Sequence, residues 1–304
     1  MEKILVIRND RFGEFLLNIP AIRALRSRYP SAKIVAAVSG PVRELAGMLD
    51  CIDEALAWDK DFRKNLRGQG FGLCVIFNPT KEAHWAAFRA GIPLRVGYDR
   101  KWGFLLTHRK KDEKCLGARH EVEYNLELVS LLTGESTAEK WGQTPFLSVP
   151  EGSDKCGCGP FLAIHPFTSD PLKQWPLERF MELARSLASK AGAKVVLVGR
   201  SESWPGLGEE EGLGVVDLVN KTSLVELAQV LKQARLLISC DSGPMHLGAA
   251  VGTPVVALFR NDLPGKTARR WGPWGPGHAV IEKSRLEDIS VEEVLDKARN
   301  IGYS

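Results

Sequence analysis

The sequence predicts an α/β protein made of two halves, each a parallel sheet covered by helices. Three observations predict it. Short apolar runs such as KILVIR (3–8), FLAIH (161–165) and LLIS (236–239) alternate with stretches whose apolar residues recur at helical spacing. The same alternation occupies both halves, separated by a Gly-, Ser-, Pro- and Lys-containing stretch from Thr133 to Pro160 with little periodicity. At 304 residues, the chain is long enough for two domains of ordinary size. The expected domains are 1–155 and 156–304.

In order, the first half reads as a strand at 3–8 and a polar loop, NDRFGE, at 9–14. A helical stretch follows at 15–29, with Leu16, Ile19, Ile22 and Leu25 on one face. Pro20 falls inside it, so the helix either starts or kinks there. Strands follow at 32–38, 55–58 and 71–77, helices at 42–49 and 83–90, and 94–97 comes next. RKWGFLLTHRKK (100–111) mixes basic and aromatic residues. It reads most simply as a solvated hairpin, and its composition also suits a membrane surface, an anionic ligand or nucleic acid. A helix over 121–132 carries Val122, Leu126, Val129 and Leu132.

The second half repeats the style. Strands are expected at 161–165, 194–199, 215–218, 236–239, 253–259 and 279–282. The helix at 175–190 places Leu177, Phe180, Ala184 and Leu187 on one face. Ser223-x-x-Glu226 and Ser290-x-x-Glu293 are helix-opening capping boxes, and 245–251 is a short helix stopped by Gly252.

Composition excludes several classes. A hydrophobic content of 44% with 26% charged residues is that of a soluble globular protein, and a net charge of +4 is too mild for a dedicated nucleic-acid binder. No apolar run approaches the ~18–20 residues that span a bilayer. MEKILVIRND lacks the pattern of a signal peptide, so the cytoplasm is the expected compartment. The six cysteines are scattered and suit reduced, buried thiols. Cys156-x-Cys158 lacks the second ligand pair that zinc requires, and Asp59-x-Asp61 lies in a charged stretch, DKDFRKN, that reads as a solvated turn.

The chemistry is sought in three places. CDSGPMHLGAAVGTPVVALF (240–259) reads as strand end, sharp turn, helix and second strand. Pro244 suits a first helical residue, and the unpaired N–H groups of a helix start carry partial positive charge, a phosphate site. Ser242 and His246 add side-chain donors. Asp241 would repel phosphate and better suits sugar hydroxyls. A tight crossover with a capping Asp and a core His would look the same. Loop 9–14, with Arg8 before it, brings together Asp10, Arg11 and Glu14, or is a solvated loop with a helix-capping acid. Loop PFTSDPLKQ (166–174) carries Thr168, Ser169 and Lys173, and a lysine beside a helix start can neutralise a diphosphate without a metal ion. No dinucleotide fingerprint, P-loop, G-x-S-x-G elbow or H-E-x-x-H is present. What remains suits a diphosphate leaving group in the second half and a base in the first.

DSGPMHLGAAVGTPVVALF (241–259) closely resembles the signature of the family 9 glycosyltransferases, the ADP-heptose:lipopolysaccharide heptosyltransferase group. KILVIRNDRFGEFLLNIPAIRALRSRYP (3–30), HPFTSDPLKQWPLERFMELA (165–184) and RWGPWGP (270–276) extend the resemblance over nearly the whole chain. The resemblance implies a GT-B fold: two facing Rossmann-like domains with parallel sheets and an interdomain cleft, acceptor in the first and nucleotide-sugar donor in the second. It implies inverting, metal-independent transfer of heptose from ADP-L-glycero-D-manno-heptose to the inner core of lipopolysaccharide, with no cofactor. By position, Lys173 resembles the lysine on the diphosphate, with Thr168 and Ser169 beside it. Ser242, Gly243 and His246 resemble the phosphate cradle, with Met245 in the same donor-binding block. Asp241 resembles the acid on the donor sugar, and Glu202 an acid near the donor ribose. Arg8, Arg11 and part of 100–111 are expected to meet an anionic, lipid-linked acceptor. Where the family commonly has Gly-Asp in the first loop, this chain has Gly13-Glu14. The expected base is therefore Glu14, with Asp10 as the alternative. The expected partners are a nucleotide sugar, a lipid-linked saccharide and the inner membrane surface as a peripheral contact, with no nucleic acid and a monomeric state. Another nucleotide sugar or acceptor, or a non-catalytic nucleotide-sugar binder, remain the alternative readings.

Overall fold

The structure, a computed structural model, describes residues 2–134, 138–141, 145–152, 156, 159–190, 192–207 and 214–301. The chain divides into two compact units, Met1–Gln143 and Thr144–Ser304. The change comes before the 155/156 position expected from composition because the residues just after it already pack in the second unit. The N–H groups of Phe146 and Leu147 both donate to the Ala250 carbonyl at 3.0 Å, and both side chains are buried. Cys156 is also buried, while Cys158 lies outside the described residues.

The first unit runs β1 (Lys3–Arg8), α1 (Phe12–Leu16), α2 (Ile19–Arg28), β2 (Lys33–Val38), α3 (Arg43–Gly47), β3 (Glu54–Ala57), α4 (Lys60–Lys64), β4 (Leu73–Ile76), α5 (Lys81–Arg89), β5 (Leu94–Asp99), β6 (His108–Lys111), α6 (Glu121–Thr133) and α7 (Ala138–Trp141). Its strands form one parallel sheet in the order β3-β2-β1-β4-β5-β6. Five of the six residues of KILVIR are buried, as a central strand covered on both faces requires. The helical stretch predicted over 15–29 is two helices. Pro20 sits at the second position of α2, where its missing N–H costs nothing.

Two expectations are corrected. Residues 100–111 are no hairpin, because β6 runs parallel to β5. The connection crosses over through a tight turn at Gly103–Leu105, and Leu106 then seats so close to Gly97 that a Cβ on Gly97 would lie 3.1 Å from it. Asp59 and Asp61 do not mark a solvated turn. Asp59 caps α4, its carboxylate accepting from the Phe62 N–H at 2.7 Å.

The second unit runs β7 (Phe161–His165), α8 (Leu177–Lys190), β8 (Lys194–Leu197), β9 (Val215–Asp217), α9 (Leu224–Gln233), β10 (Leu236–Cys240), α10 (Gly243–Val251), β11 (Val255–Arg260), α11 (Ala268–Trp271), β12 (Ala279–Lys283) and α12 (Val291–Asn300). Its sheet order, β12-β11-β10-β7-β8-β9, is again fully parallel. Counted within its own unit, each sheet has the order 3-2-1-4-5-6, the dinucleotide-fold arrangement whose strand order reverses between the first and fourth strands. Ser223 and Glu226 make the full reciprocal capping box at α9, and Ser290 accepts from the Glu293 N–H at α12. Gly252, at φ +90°, ends α10 in the left-handed conformation.

The core of the second unit centres on Trp175. It is fully buried, packs edge-on against Phe180 at 4.7 Å between ring centres, and donates its indole N–H to the Ile289 carbonyl at 3.0 Å. Trp175→Ala is expected to destabilise this unit by about 3–5 kcal/mol. Trp175→Phe, which keeps an aromatic ring and leaves the Ile289 carbonyl still accepting from Arg179, should cost less. Urea unfolding followed by circular dichroism checks this, and an unshifted midpoint for Trp175→Ala would contradict the packing described.

Candidate active site

In open parallel sheets a ligand is held beyond the carboxyl ends of the strands, where the strand order reverses. In the second unit that place lies between β7 and β10. The loop after β7 carries Lys173, the turn after β10 carries Asp241, and the Lys173 ammonium is ion-paired with the Asp241 carboxylate. Both side chains are largely buried, where an ion pair offsets part of the cost of burying each charge.

Two residues beyond Asp241, α10 begins. Ser242 is its N-cap residue in extended conformation, yet its side chain does not cap the helix. The hydroxyl turns inward, 2.9 Å from Ser239 Oγ and 3.2 Å from His165 Nδ1, and His165 is also 3.1 Å from Ser239 Oγ. Burial pushes the His165 imidazole down to about 3, so it stays neutral wherever the protein works. Gly199 makes room for that ring: a Cβ there would come within 2.6 Å of His165, and its φ of +127° suits only glycine. Gly248 lets α10 lie close on β10, since a Cβ would meet Leu237 at 2.7 Å. These small residues fix where the positive end of α10 points.

Gly243 opens α10, and its first turn also holds Met245 and His246. His246 is buried, with its ring 6.4 Å from that of Trp271. Trp271 donates to the Gly265 carbonyl at 3.1 Å, so the RWGPWGP segment abuts this turn. Met245 corrects the expected donor-binding set. Its side chain is fully buried in the core, which leaves only its backbone to a ligand.

The 166–174 loop is braced from within. Thr168 Oγ1 donates to the Asp170 carbonyl at 2.7 Å and accepts from the Asp170 N–H at 3.0 Å. Gln174 accepts from the Thr168 N–H and donates to the carbonyls of Pro166 and Trp175. Asp170 caps the short turn 171–173 that presents Lys173. Ser169 is exposed at the tip of this loop, and Glu202 is exposed in the turn after β8. The sequence reading gave no role to His165, Ser239 or Gln174. No spacing marks them, since His165 and Ser239 end buried strands and Gln174 reads as one more polar loop residue.

In the first unit the corresponding strands are β1 and β4. Their loops are joined by Asn78, which donates to Asn9 at 2.9 Å. Arg8 is buried and bonded inward, to the Asp10 carboxylate at 2.7 Å and the Phe77 carbonyl at 3.4 Å, with Glu121 at 4.0 Å. Expected at the acceptor, it instead holds the Asp10 loop in place. Arg11 is exposed. Behind the loop, Lys114 is bonded to Glu121 and donates to Asn125 at 3.0 Å, and Asn125 donates to the Leu17 carbonyl at 3.1 Å. Glu14 lies in the first turn of α1. Burial raises its carboxyl above the usual value of 4.5, and Asp10 adds to this, against the opposing charges of Arg8 and Arg11. A carboxyl held that way is suited to take a proton near neutral pH. Among the described residues, no three His, Cys, Asp or Glu side chains gather as a metal set.

The chain is similar to known proteins in sequence and in fold. Lipopolysaccharide heptosyltransferase 2 of Escherichia coli K12 is 26% identical, over 86% of this chain and 84% of its own length. The solved structure of E. coli ADP-heptose lps heptosyltransferase II superposes with a TM-score of 0.82 at 23% identity, covering 98% of both chains. E. coli heptosyltransferase WaaC with ADP superposes with a TM-score of 0.81 at 20% identity, covering 99% of this chain and 100% of that one. The fold is therefore that of the GT-B glycosyltransferases. The model for glycosyltransferase family 9 (heptosyltransferase) matches residues 60–297, well over half of the chain, and the protein belongs to that family.

Proposed function

We propose that this family 9 transferase moves heptose from ADP-L-glycero-D-manno-heptose to the inner core of lipopolysaccharide, with inversion and with no metal ion in the step. The observation that carries the reading is the Lys173–Asp241 pair two residues ahead of the α10 N-terminus. It sets a cation, a sugar-binding carboxylate and a helix dipole side by side, as a diphosphate-linked sugar requires. The named relatives are heptosyltransferases, and one solved neighbour holds ADP.

In this reading the second unit binds the donor. The N–H groups of the first turn of α10 meet the phosphates, with Ser242 and His246 beside them. Lys173 bridges Asp241 and the diphosphate, and Asp241 accepts from sugar hydroxyls. Thr168 keeps the lysine loop in shape, Ser169 adds a hydroxyl at its tip, and Glu202 meets the ribose. Glu14 takes the proton from the acceptor hydroxyl, and Asp10, steered by Arg8, is its alternative. Arg11 meets the acceptor's anionic groups. As the bond to the anomeric carbon breaks, negative charge builds on the departing ADP. Lys173 and the helix start are already aimed at that charge, so little reorganisation is needed. The acceptor is lipid-linked, which places the reaction at the cytoplasmic face of the inner membrane.

Lys173→Ala is expected to lower kcat about a hundredfold or more, because it removes a contact to the leaving group. ADP release in the presence of acceptor reads this, and near-normal turnover would sink the mechanism. A panel of nucleotide sugars tests the donor: release of nucleotide from ADP-heptose alone supports the assignment, and equal release from UDP- or GDP-sugars removes it.

The Glu14 assignment makes a pH prediction. A base must be deprotonated, so kcat/KM should fall on the acid side, with a midpoint above the ordinary carboxyl value of 4.5 because burial raises Glu14. The same shift acts on stability. The folded form holds this proton more tightly than the unfolded chain, so Glu14 costs stability as pH rises from its unfolded value through its folded one. Glu14→Gln should therefore lose most turnover yet gain in Tm at pH 7 relative to pH 4. If Asp10→Asn loses the acid limb and Glu14→Gln keeps it, the base is Asp10.

A further inference from the structure

The first unit carries a surface that its sheet and helices do not need. Among the described residues, six large hydrophobic side chains are exposed, and the three aromatic ones, Trp85, Phe88 and Phe104, lie together. Trp85 is 5.9 Å from Phe88 and 6.1 Å from Trp102 between ring centres, and Trp102 is 6.4 Å from Phe104. Trp85 and Phe88 stand on the outer face of α5, whose inner face buries Ala83, Ala86 and Ala87. Trp102 and Phe104 come from the turn between β5 and β6. Phe104 is 68% exposed. An aromatic cluster left in water on a folded domain is a docking surface far more often than an accident.

Its surroundings are basic. Residues 81–111 hold eight Lys and Arg against two Asp and Glu, a net +6 in a chain whose total is only +4. Half of those basic residues are paired locally: Arg109 with Asp99, Lys110 with Glu127, Arg100 with Asp112 and Lys111 with Glu113. Lys81, Arg89 and Lys101 are exposed and form no ion pair among the described residues. Lys81 lies 5.8 Å from the Trp102 ring centre. Lys101 is held at φ +56°, a left-handed conformation uncommon for a residue with a side chain, in the turn that presents Trp102.

We propose that this patch docks the protein on a bilayer surface bearing anionic headgroups. The tryptophans, with their polar N–H edges, settle at the level of the headgroups, the phenylalanines bury apolar area beside them, and lysine and arginine around them meet the negative surface. The ring planes favour this over a saccharide or base platform. Trp85 and Trp102 meet at 84° and Trp102 and Phe104 at 45°, so no flat stacking face is formed. The inference deepens the proposed function by naming the surface on which a lipid-linked acceptor is met, and rests on that reading only for the acceptor. Docking itself needs neither donor nor acceptor.

Flotation of the full chain with vesicles tests it, using phosphatidylcholine alone and phosphatidylcholine with a quarter phosphatidylglycerol, without substrates. The wild type should bind the anionic vesicles, more weakly as salt rises, and leave the neutral ones largely unbound. Lys81→Glu with Arg89→Glu should weaken binding about thirtyfold or more, since each basic residue near the surface contributes about fivefold. Trp85→Ser with Phe88→Ser should weaken it at least about tenfold. Lys297→Glu, on α12 of the other unit, should bind as the wild type. All these positions are exposed, so each variant should keep its Tm. Failure of the wild type to float, or unchanged binding in both α5 variants, would overturn the proposal. Transfer to a lipid-free core oligosaccharide is read separately: if it fails in every protein, the transferase reading falls while the docking result stands.

Discussion

Two opposite charges on neighbouring loops, Lys173 after β7 and Asp241 after β10, organise the second unit's site. The parallel sheet brings those loops together because its strand order reverses between these strands. The pair alone is neutral and would hold a dianionic diphosphate weakly. In the proposed reading, what tips the site toward phosphate is the start of α10, whose partial positive charge has no carboxylate of its own to quench it within its first turn. In the same reading Lys173 offsets the charge of Asp241, so a carboxylate that would otherwise repel the donor is available for sugar hydroxyls.

The same arithmetic explains why α10 is so rich in small and apolar residues. A helix dipole is useful only if the helix end is fixed. Gly248 lets the helix settle close on β10, Met245 and Leu247 anchor it in the core, and Gly252 ends it after nine residues. Ser242, which could have capped the helix, is instead engaged with Ser239 and neutral His165. Burial keeps that imidazole uncharged, so the hydroxyl cluster adds no charge of its own beneath the phosphate position.

Much of this was legible in the chain. Buried central strands read clearly because both faces are covered and the run is apolar, and the strand–DSG–helix unit is dense with residues that have one local meaning. The misreadings have physical causes. Local pattern has no access to strand direction, so 100–111 passed for a hairpin although Leu106 and Gly97 anchor a crossover. Burial of charge is equally invisible: Arg8, Lys114 and Glu121 look like surface residues in sequence, yet they form one buried group behind the Asp10 loop. Met245 sits in a functional block and serves the core. Hydrogen bonds between residues far apart in sequence, such as Asn9 with Asn78, leave no spacing to find.

The two units repeat one strand order and differ in what they place at the reversal. In the second, the loops are tied by opposite charges beside a nine-residue helix, which suits an anion. In the first, they are tied by two neutral amides, and the charge is gathered on one loop, where Arg8 holds Asp10 and burial raises Glu14. A longer helix start aimed at that point would have lowered the Glu14 carboxyl, against the role proposed for it as a base. Here α1 is a single short turn of five residues, too brief to build a strong dipole, and it ends before α2 begins. In the proposed reading, the short α1 suits a proton acceptor in the first unit and the nine-residue α10 suits a departing diphosphate in the second.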